Sequence, residues 1–160
     1  MQNNNRFLNA FMLIIALSFG LLFYLSQRGY FNNNPVSRSA AGELRIRAGY
    51  GNHYRLDGKI NGQPVRFLID TGATGVTLNK KLAESLGLRS RGNGLSHTAN
   101  GTTTHYETRL ASLSIGDWTF EDVDAHIVPN MDDEVLLGMR ILRHFEIIQR
   151  DGELILRTPQ

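Results

Sequence analysis

An aspartate followed by a hydroxyl residue and a glycine is the stretch of this chain whose residue types could do chemistry. Asp70, Thr71 and Gly72 come directly after residues 67–69, an apolar run that predicts the end of a buried strand. A carboxylate at that point is costly to bury unless it is hydrogen-bonded or used in a reaction. Thr71 supplies a hydroxyl, and Gly72 lets a second backbone approach closely. The stretch therefore predicts a carboxylate in a tight turn, available for acid–base chemistry.

Two further stretches extend this pattern. Thr98-Ala99-Asn100-Gly101 lies in the middle of the chain, and Leu136-Leu137-Gly138 ends 68 residues after Asp70. Together with residues 67–74 they resemble the retropepsin-like, retroviral-type aspartic proteases, and above all the bacterial members carried on an N-terminal membrane anchor. The resemblance covers residues 51–159. It implies an all-β fold, a single-lobe closed β-barrel with one or two short helices that is active as a homodimer.

The resemblance also implies roles for individual residues. Asp70 is the expected catalytic residue. Support of the active-site loop is expected from Thr71, Gly72, Ala73, Leu136, Leu137 and Gly138. The hairpin around the central stretch resembles the flap that closes over substrate, and its expected substrate-binding residues are Thr98, Ala99, Asn100 and Gly101.

One carboxylate cannot perform the implied reaction alone. Aspartic proteolysis needs one carboxylate to activate water and a second, protonated one to polarise the carbonyl group. The chain has one Asp-Thr-Gly stretch and no internal repeat. The second Asp70 must then come from a second copy of the chain, so activity implies a symmetric homodimer.

Two other functions are compatible with the same residues. The domain could be a catalytically inactive module that binds an extended peptide by strand addition or serves in assembly. It could also be an anchored β-domain in which Asp70 only caps a turn. The intact Asp-Thr-Gly stretch favours catalysis, because a binding module gains nothing from two buried acids.

The N-terminal part of the chain predicts membrane attachment. After a polar stub (1–6), residues 7–25 are uncharged and as a helix would span about 28 Å, close to the thickness of a bilayer core. A cleaved signal peptide is the alternative, but bulky residues 23–25 follow where small ones are expected. A linker (26–47) and the protease domain (48–160) complete the predicted organisation. The flanking charges do not decide orientation, and the resemblance implies a single-pass protein of the bacterial inner membrane with a periplasmic domain.

Composition excludes several other kinds of function. A net charge of +2 without a dense basic patch disfavours nucleic acid as a partner, and the absence of cysteine excludes thiol chemistry and disulfides. The histidines lack metal-ligand spacing, and we expect His97 and His105 to be exposed on the flap. The acidic loop 129–134 lacks the spacing of a calcium site. No metal and no cofactor are predicted.

The periodicity of the chain predicts the elements that position these residues. Hairpins are predicted for residues 54–60 with 65–69, 95–99 with 102–106, and 110–115 with 118–120. Leu78, Leu82 and Leu86 have helical spacing and predict a helix over 78–86 that ends at Gly87. Residues 135–138 predict a buried strand followed by a short helix, and a last hairpin turns at Asp151 and Gly152.

Overall fold

The computed structural model describes residues 12–22, 24, 36–39, 42–98 and 101–159. The chain divides into two compact units, Met1–Asn33 and Asn34–Gln160. In the first unit, residues 12–22 form a helix (α1) whose side chains are exposed. Among the described residues, no helix combines the length and the apolar character needed to cross a bilayer. The predicted stub and both ends of the predicted anchor (7–25) lie outside the described residues, and the anchor stays a prediction.

The second unit is built mainly of β-strands, which confirms the predicted all-β class. Its smaller sheet has four antiparallel strands in the order β1-β2-β11-β10. Their bounds are β1 Val36–Ser39, β2 Glu43–Arg47, β10 Glu146–Arg150 and β11 Glu153–Arg157. The last two form the hairpin that the sequence predicts around Asp151 and Gly152.

The predicted linker (26–47) ends too late. Residues 43–47 form β2, which lies between β1 and β11 in this sheet. Leu44 and Ile46 are buried and alternate with Glu43 and Arg45, the period-two pattern of a strand with one buried face. Three of the five residues of β2 are charged, so its composition resembles that of a linker and the alternation is easily missed in the sequence. The compact domain therefore begins before residue 48.

The larger sheet has seven strands in the order β3-β4-β9-β5-β8-β7-β6. A short 3₁₀ turn, Tyr50–Asn52, precedes it. The strand bounds are β3 Arg55–Ile60, β4 Gln63–Ile69, β5 Val76–Asn79, β6 Gly92–Thr98, β7 Gly101–Ile115, β8 Trp118–Val128 and β9 Val135–Leu137. The three predicted hairpins are thus present, and their second strands are longer than the sequence predicts.

The larger sheet closes on itself. Strand β3 pairs with β4 along one edge and with β7 along the other, so six strands form a ring and β6 remains outside it. At the closing pair, Gly58 lies opposite Ile115, and a Cβ on Gly58 would lie 2.4 Å from the Ser114 carbonyl oxygen. A side chain at residue 58 would push the two strands apart. The closure agrees with the predicted barrel.

Strand β8 changes the face that it presents to the core at one residue. Asp122 has a φ of 54°, in the left-handed region. Beyond Asp122, Val123 and Ala125 are buried. Before it, Trp118 packs edge-on against Phe145, with ring centroids 4.8 Å apart. The inward-facing positions are therefore even-numbered before Asp122 and odd-numbered after it, so that one strand serves two regions of the core.

Two short helices complete the described part of the domain, and the first is shorter than the predicted helix over 78–86. Helix α2 spans Lys80–Ser85 and α3 spans Met139–Leu142. Leu78, predicted as the first turn of α2, belongs to β5 and is fully buried. The helix begins after Asn79, whose side chain accepts a hydrogen bond from the Leu82 N–H at 2.7 Å. The leucine spacing assigned Leu78 to the helix although it belongs to the strand, and the N-cap at Asn79 marks where the helix begins.

Candidate active site

Asp70 lies immediately beyond β4, at the point where the chain leaves the barrel. Val65 and Phe67 of β4 are buried, so the strand is fixed by its packing. The neighbouring strand β9 runs parallel to it and pairs Ile69 with Leu137. The Asp70 N–H continues this pairing by donating to the Leu137 carbonyl oxygen at 3.2 Å. The backbone of Asp70 is therefore held by the barrel itself.

The side chain of Asp70 is oriented by its own loop. Its Oδ1 accepts a hydrogen bond from the Gly72 N–H at 2.8 Å, and its carbonyl oxygen accepts one from the Ala73 N–H at 3.2 Å. Asp70 is half-buried, while Thr71 and Gly72 are exposed. No other side chain among the described residues hydrogen-bonds to this carboxylate. In a single chain the tip of the loop thus faces solvent with one fixed acid.

Three consecutive N–H groups after β9 hold the second half of the loop. The N–H groups of Gly138, Met139 and Arg140 donate to the carbonyl oxygens of Gly75, Ala73 and Thr74 at 3.1, 2.8 and 2.9 Å. Only backbone atoms take part, so the sequence carries little sign of this contact apart from the glycine. The structure brings Leu137 and Gly138 against the Asp70 loop, where the sequence placed its support.

Gly138 is the tightest point of this support. A Cβ on this residue would lie 2.5 Å from the Ala73 carbonyl oxygen and 2.4 Å from that of Gly75. Real Cβ atoms do not approach backbone oxygens so closely, so any other residue must displace the loop. Leu137 is fully buried beside it, and Leu136 pairs with Leu68 of β4. Leu137 packs in the core, Leu136 contributes strand pairing, and the glycine permits the close contact.

The predicted flap corresponds to the hairpin of β6 and β7. Thr98 of β6 pairs with Gly101 of β7. Ala99 and Asn100 lie outside the described residues, as do the side chains of His97 and Thr98. Leu95 of β6 is 68% exposed, which leaves an apolar side chain of this hairpin open to a partner or substrate.

The expectation that His105 is exposed is wrong. His105 is 7% exposed, and its Nδ1 lies 2.7 Å from the Ser96 hydroxyl. Its ring stacks on that of His126, which belongs to β8. Burial and the neighbouring His105 lower the pKa of His126 below its ordinary value of 6.5. Sequence reasoning missed the pair, because nothing in β7 alone indicates which strand covers His105.

The acidic loop before β9 is organised by an amide and an arginine. Asn79 Nδ2 donates to the Met131 and Asp132 carbonyl oxygens and to Asp133 Oδ1, at 3.4, 3.2 and 2.8 Å. Glu134 forms an ion pair with Arg55 of β3. Across the part of the chain that the structure describes, no group of three or more acidic or histidine side chains could hold a metal ion.

The reactions that the Asp70 loop of one chain can support are limited by its single carboxylate. A rigid loop presents one carboxylate at an exposed tip, where it can act as a proton donor or acceptor. Hydrolysis of an amide by paired carboxylates needs a second acidic group that shares a proton with the first. The described residues of one chain bring no second carboxylate into hydrogen-bonding contact with Asp70.

Comparisons with known proteins agree with this geometry. Residues 56–144 match the family described as gag-polyprotein putative aspartyl protease. An uncharacterised protein of Rickettsia prowazekii is 27% identical over 119 residues, covering 72% of this chain and 51% of the relative. An uncharacterised protein of a Sinorhizobium species is 32% identical over 110 residues, covering 66% and 47%. The chain spans about half the length of these two relatives.

Solved structures show the same fold. A retropepsin-like aspartic protease from Rickettsia conorii superposes with a TM-score of 0.59 at 28% identity, covering 76% of this chain and 94% of that one. The EIAV protease, solved with an inhibitor, gives a TM-score of 0.50 at 20% identity, covering 59% and 88%. The second likeness concerns the fold alone.

Proposed function

Because this chain belongs to the gag-type aspartyl protease family and has the retropepsin-like fold, we propose that it is an aspartic endopeptidase acting on protein or peptide substrates. The observation that carries the proposal is the position of Asp70. Its carboxylate is fixed by the Gly72 N–H in an exposed loop, and β9 and α3 brace that loop through backbone hydrogen bonds. A turn-capping role for Asp70 would account for the Gly72 contact but not for the bracing.

The catalytic pair is completed by a second copy of the chain. Two Asp70 loops meet on the twofold axis of a homodimer, and the exposed Thr71 and Gly72 form the contact between them. Thr71 supplies hydroxyls for hydrogen bonds across the axis, and Gly72 allows the loops to touch. Two carboxylates about 3 Å apart cannot both ionise, so they share one proton and titrate as a unit.

The shared proton defines the reaction. The ionised carboxylate takes a proton from water while the water oxygen bonds to the carbonyl carbon of the substrate. The protonated carboxylate gives its proton to the carbonyl oxygen, which forms a neutral tetrahedral intermediate. In the breakdown of this intermediate, the carboxyl group that took the water proton gives it to the leaving nitrogen as the C–N bond breaks. The other carboxylate takes a proton from a hydroxyl of the intermediate as the carbonyl re-forms, which restores the shared proton. The hairpin of β6 and β7, with Thr98, Ala99, Asn100 and Gly101 at its tip, covers the substrate, and no metal or cofactor takes part.

The proposal includes the membrane anchor and its orientation. Residues 7–25 stay attached as a single-pass helix in a bacterial inner membrane, with the protease domain in the periplasm. The uncharged run and the bulky residues at its end support this part. Fusions of periplasm-active and cytoplasm-active reporters after Gln160 test the orientation. A fusion active only in the cytoplasm would reverse it.

Substitution of the acid tests the catalytic role. Asp70→Asn should fold and dimerise but lose hydrolysis of a peptide library by about 10²-fold or more, since an amide cannot hold the shared proton. Asp151→Asn is the matched control, because Asp151 is an exposed turn residue with a φ of 53° that asparagine tolerates. Full activity of a folded Asp70→Asn chain would end the protease proposal. A folded dimeric wild type that binds peptides without cleaving them would favour the inactive module.

Mixing of chains tests the shared site. Excess Asp70→Asn chain should inhibit wild-type chain by forming mixed dimers, whereas excess Asp151→Asn chain should not. Specific activity of the detergent-solubilised full chain should also fall on dilution, because a separated chain holds one acid. Activity that is unaffected by mutant chains under conditions of subunit exchange would contradict the dimeric site.

A further inference from the structure

A groove with a volume of about 560 Å³ lies beside the active-site loop, lined by Thr74, Met139, Arg140 and Arg143. Thr74 belongs to the same loop as Asp70. The N–H groups of Met139 and Arg140 hydrogen-bond to the carbonyl oxygens of Ala73 and Thr74. The walls of the groove and the candidate catalytic loop are therefore one rigid unit.

Most of the charge around this groove is already neutralised. Arg140 Nη1 lies 3.0 Å from Asp124 Oδ2. Asp124 also lies 3.9 Å from Arg109, which is 3.2 Å from Asp122. The four side chains alternate in sign along the barrel surface. Arg140 consequently contributes little net charge to the groove.

Arg143 is different. It follows Met139 by one helical turn and is exposed. No carboxylate of the described residues lies within ion-pair distance of its guanidinium group, whereas Arg109 of β7 and Arg140 of α3 have acidic partners. Its charge is thus uncompensated at the rim of the groove, next to the exposed Met139 side chain.

We propose that this groove binds an acidic side chain of the substrate, with Arg143 as the residue that determines the preference. This inference rests on the proposed protease function. A guanidinium group matches a carboxylate with two parallel hydrogen bonds. The Met139 side chain contacts the methylene groups of a glutamate, and the Thr74 hydroxyl can donate to it. Because Thr74 is part of the Asp70 loop, the acidic residue lies within a few positions of the scissile bond.

Peptide pairs test the preference in the full-length chain. A library of fluorescent peptides carries glutamate or glutamine at one position at a time around a cleavable bond. At one position the wild type should favour glutamate by about two- to fivefold in kcat/KM, the range of an exposed ion pair. Arg143→Glu should reverse that preference at the same position. Added salt should weaken the wild-type preference, because it screens an exposed pair.

Arg150→Glu is the matched control. Arg150 is also an exposed arginine, but it lies on β10 and does not line the groove. This variant should keep the wild-type preference. A preference lost equally in both variants, or a wild type indifferent to glutamate at every position, would overturn the assignment.

Binding to the Asp70→Asn chain separates this inference from the proposed function. The same peptides are titrated and followed by fluorescence anisotropy, which needs no hydrolysis. Tighter binding of glutamate peptides that disappears with Arg143→Glu supports the groove, even if the wild type cleaves nothing. Equal affinities overturn the groove, even if the wild type is an active protease. If Arg143→Glu instead weakens self-association and leaves peptide affinity unchanged, the partner chain occupies the groove and the inference is wrong.

Discussion

His105 stacks on His126 with ring centroids 4.2 Å apart and an angle of 31° between the ring planes. The contact joins the base of the β6–β7 hairpin to β8, the neighbouring strand of the barrel. Ser96 of β6 lies within hydrogen-bonding distance of the same His105 ring. The hairpin that we propose to cover the substrate is therefore attached to the barrel through the two stacked imidazole rings and the Ser96 hydroxyl.

Acidification should destabilise the domain through His126. Burial lowers the pKa of His126, with smaller contributions from His105 and Arg140, while Glu107 and Asp124 act in the opposite direction. Below pH 6.5 the unfolded chain binds more protons at this residue than the folded chain does, so the free energy of unfolding falls as the pH falls. Urea unfolding of the full chain between about pH 7 and pH 5 measures this slope.

His126→Gln should reduce that pH dependence. The exposed His53 provides the control, and His53→Gln should leave the slope as in the wild type. Equal slopes in His126→Gln and the wild type would show that another group carries the acid sensitivity.

Gly138→Ala should destabilise the domain and displace the active-site loop. Its Cβ would meet the carbonyl oxygens of Ala73 and Gly75, and crowding of this kind costs about 1–3 kcal/mol. Gly75→Ala is the control, because the nearest atom to its Cβ is Arg140 Nε at 3.9 Å. Denaturant unfolding and kcat for the two variants give the comparison. A fully stable and active Gly138→Ala chain would contradict the close support of the loop.

Asn79→Ala should cost about 1–3 kcal/mol of unfolding free energy. The substitution removes the side-chain oxygen that caps α2 and the amide group that holds residues 131–133. Asn79 is only 4% exposed, so water cannot fully replace these hydrogen bonds. Asn79→Ser keeps an oxygen that can cap the helix but loses the amide donors, and it introduces no charge beside Asp133. Thermal unfolding of both variants separates the contributions. If the two lose the same stability, the amide donors rather than the cap carry the effect.

Ala73→Ser should shift the acidic limb of the pH–rate profile downward. A serine hydroxyl at this half-buried position can hydrogen-bond the ionised carboxylate pair and lower its pKa, whereas the alanine cannot. The wild-type profile should be bell-shaped with a maximum at weakly acidic pH. Ala111→Ser, on an exposed part of β7, is the control and should not move the limb. An unchanged profile in Ala73→Ser would refute the assignment.

The sequence predicted those parts of the fold that depend on neighbours in the chain. Hairpins such as the one around Asn61 and Gly62 follow from their turn residues, and the position of Asp70 after β4 follows from its apolar approach. The parallel pairs of β4 with β9 and of β5 with β8 left no local sign. The backbone bonds after Gly138 depend on the pairing of β4 with β9. The burial of His105 depends on β8, which is longer than the sequence predicts and places His126 against its ring. Sequence reasoning could not place either contact.

The pairing of β4 with β9 also determines when the active-site loop can form during synthesis. The strands β6 and β7 are close in sequence and pair with each other, so this hairpin can fold as soon as it leaves the ribosome. Phe67 has to wait for Val135, and closing so long a segment is slow. Until then, the Asp70 loop of a nascent chain lacks the hydrogen bonds that the carbonyl oxygens of Ala73 and Thr74 accept from Met139 and Arg140. Translation thus delays assembly of the site until most of the domain has been made.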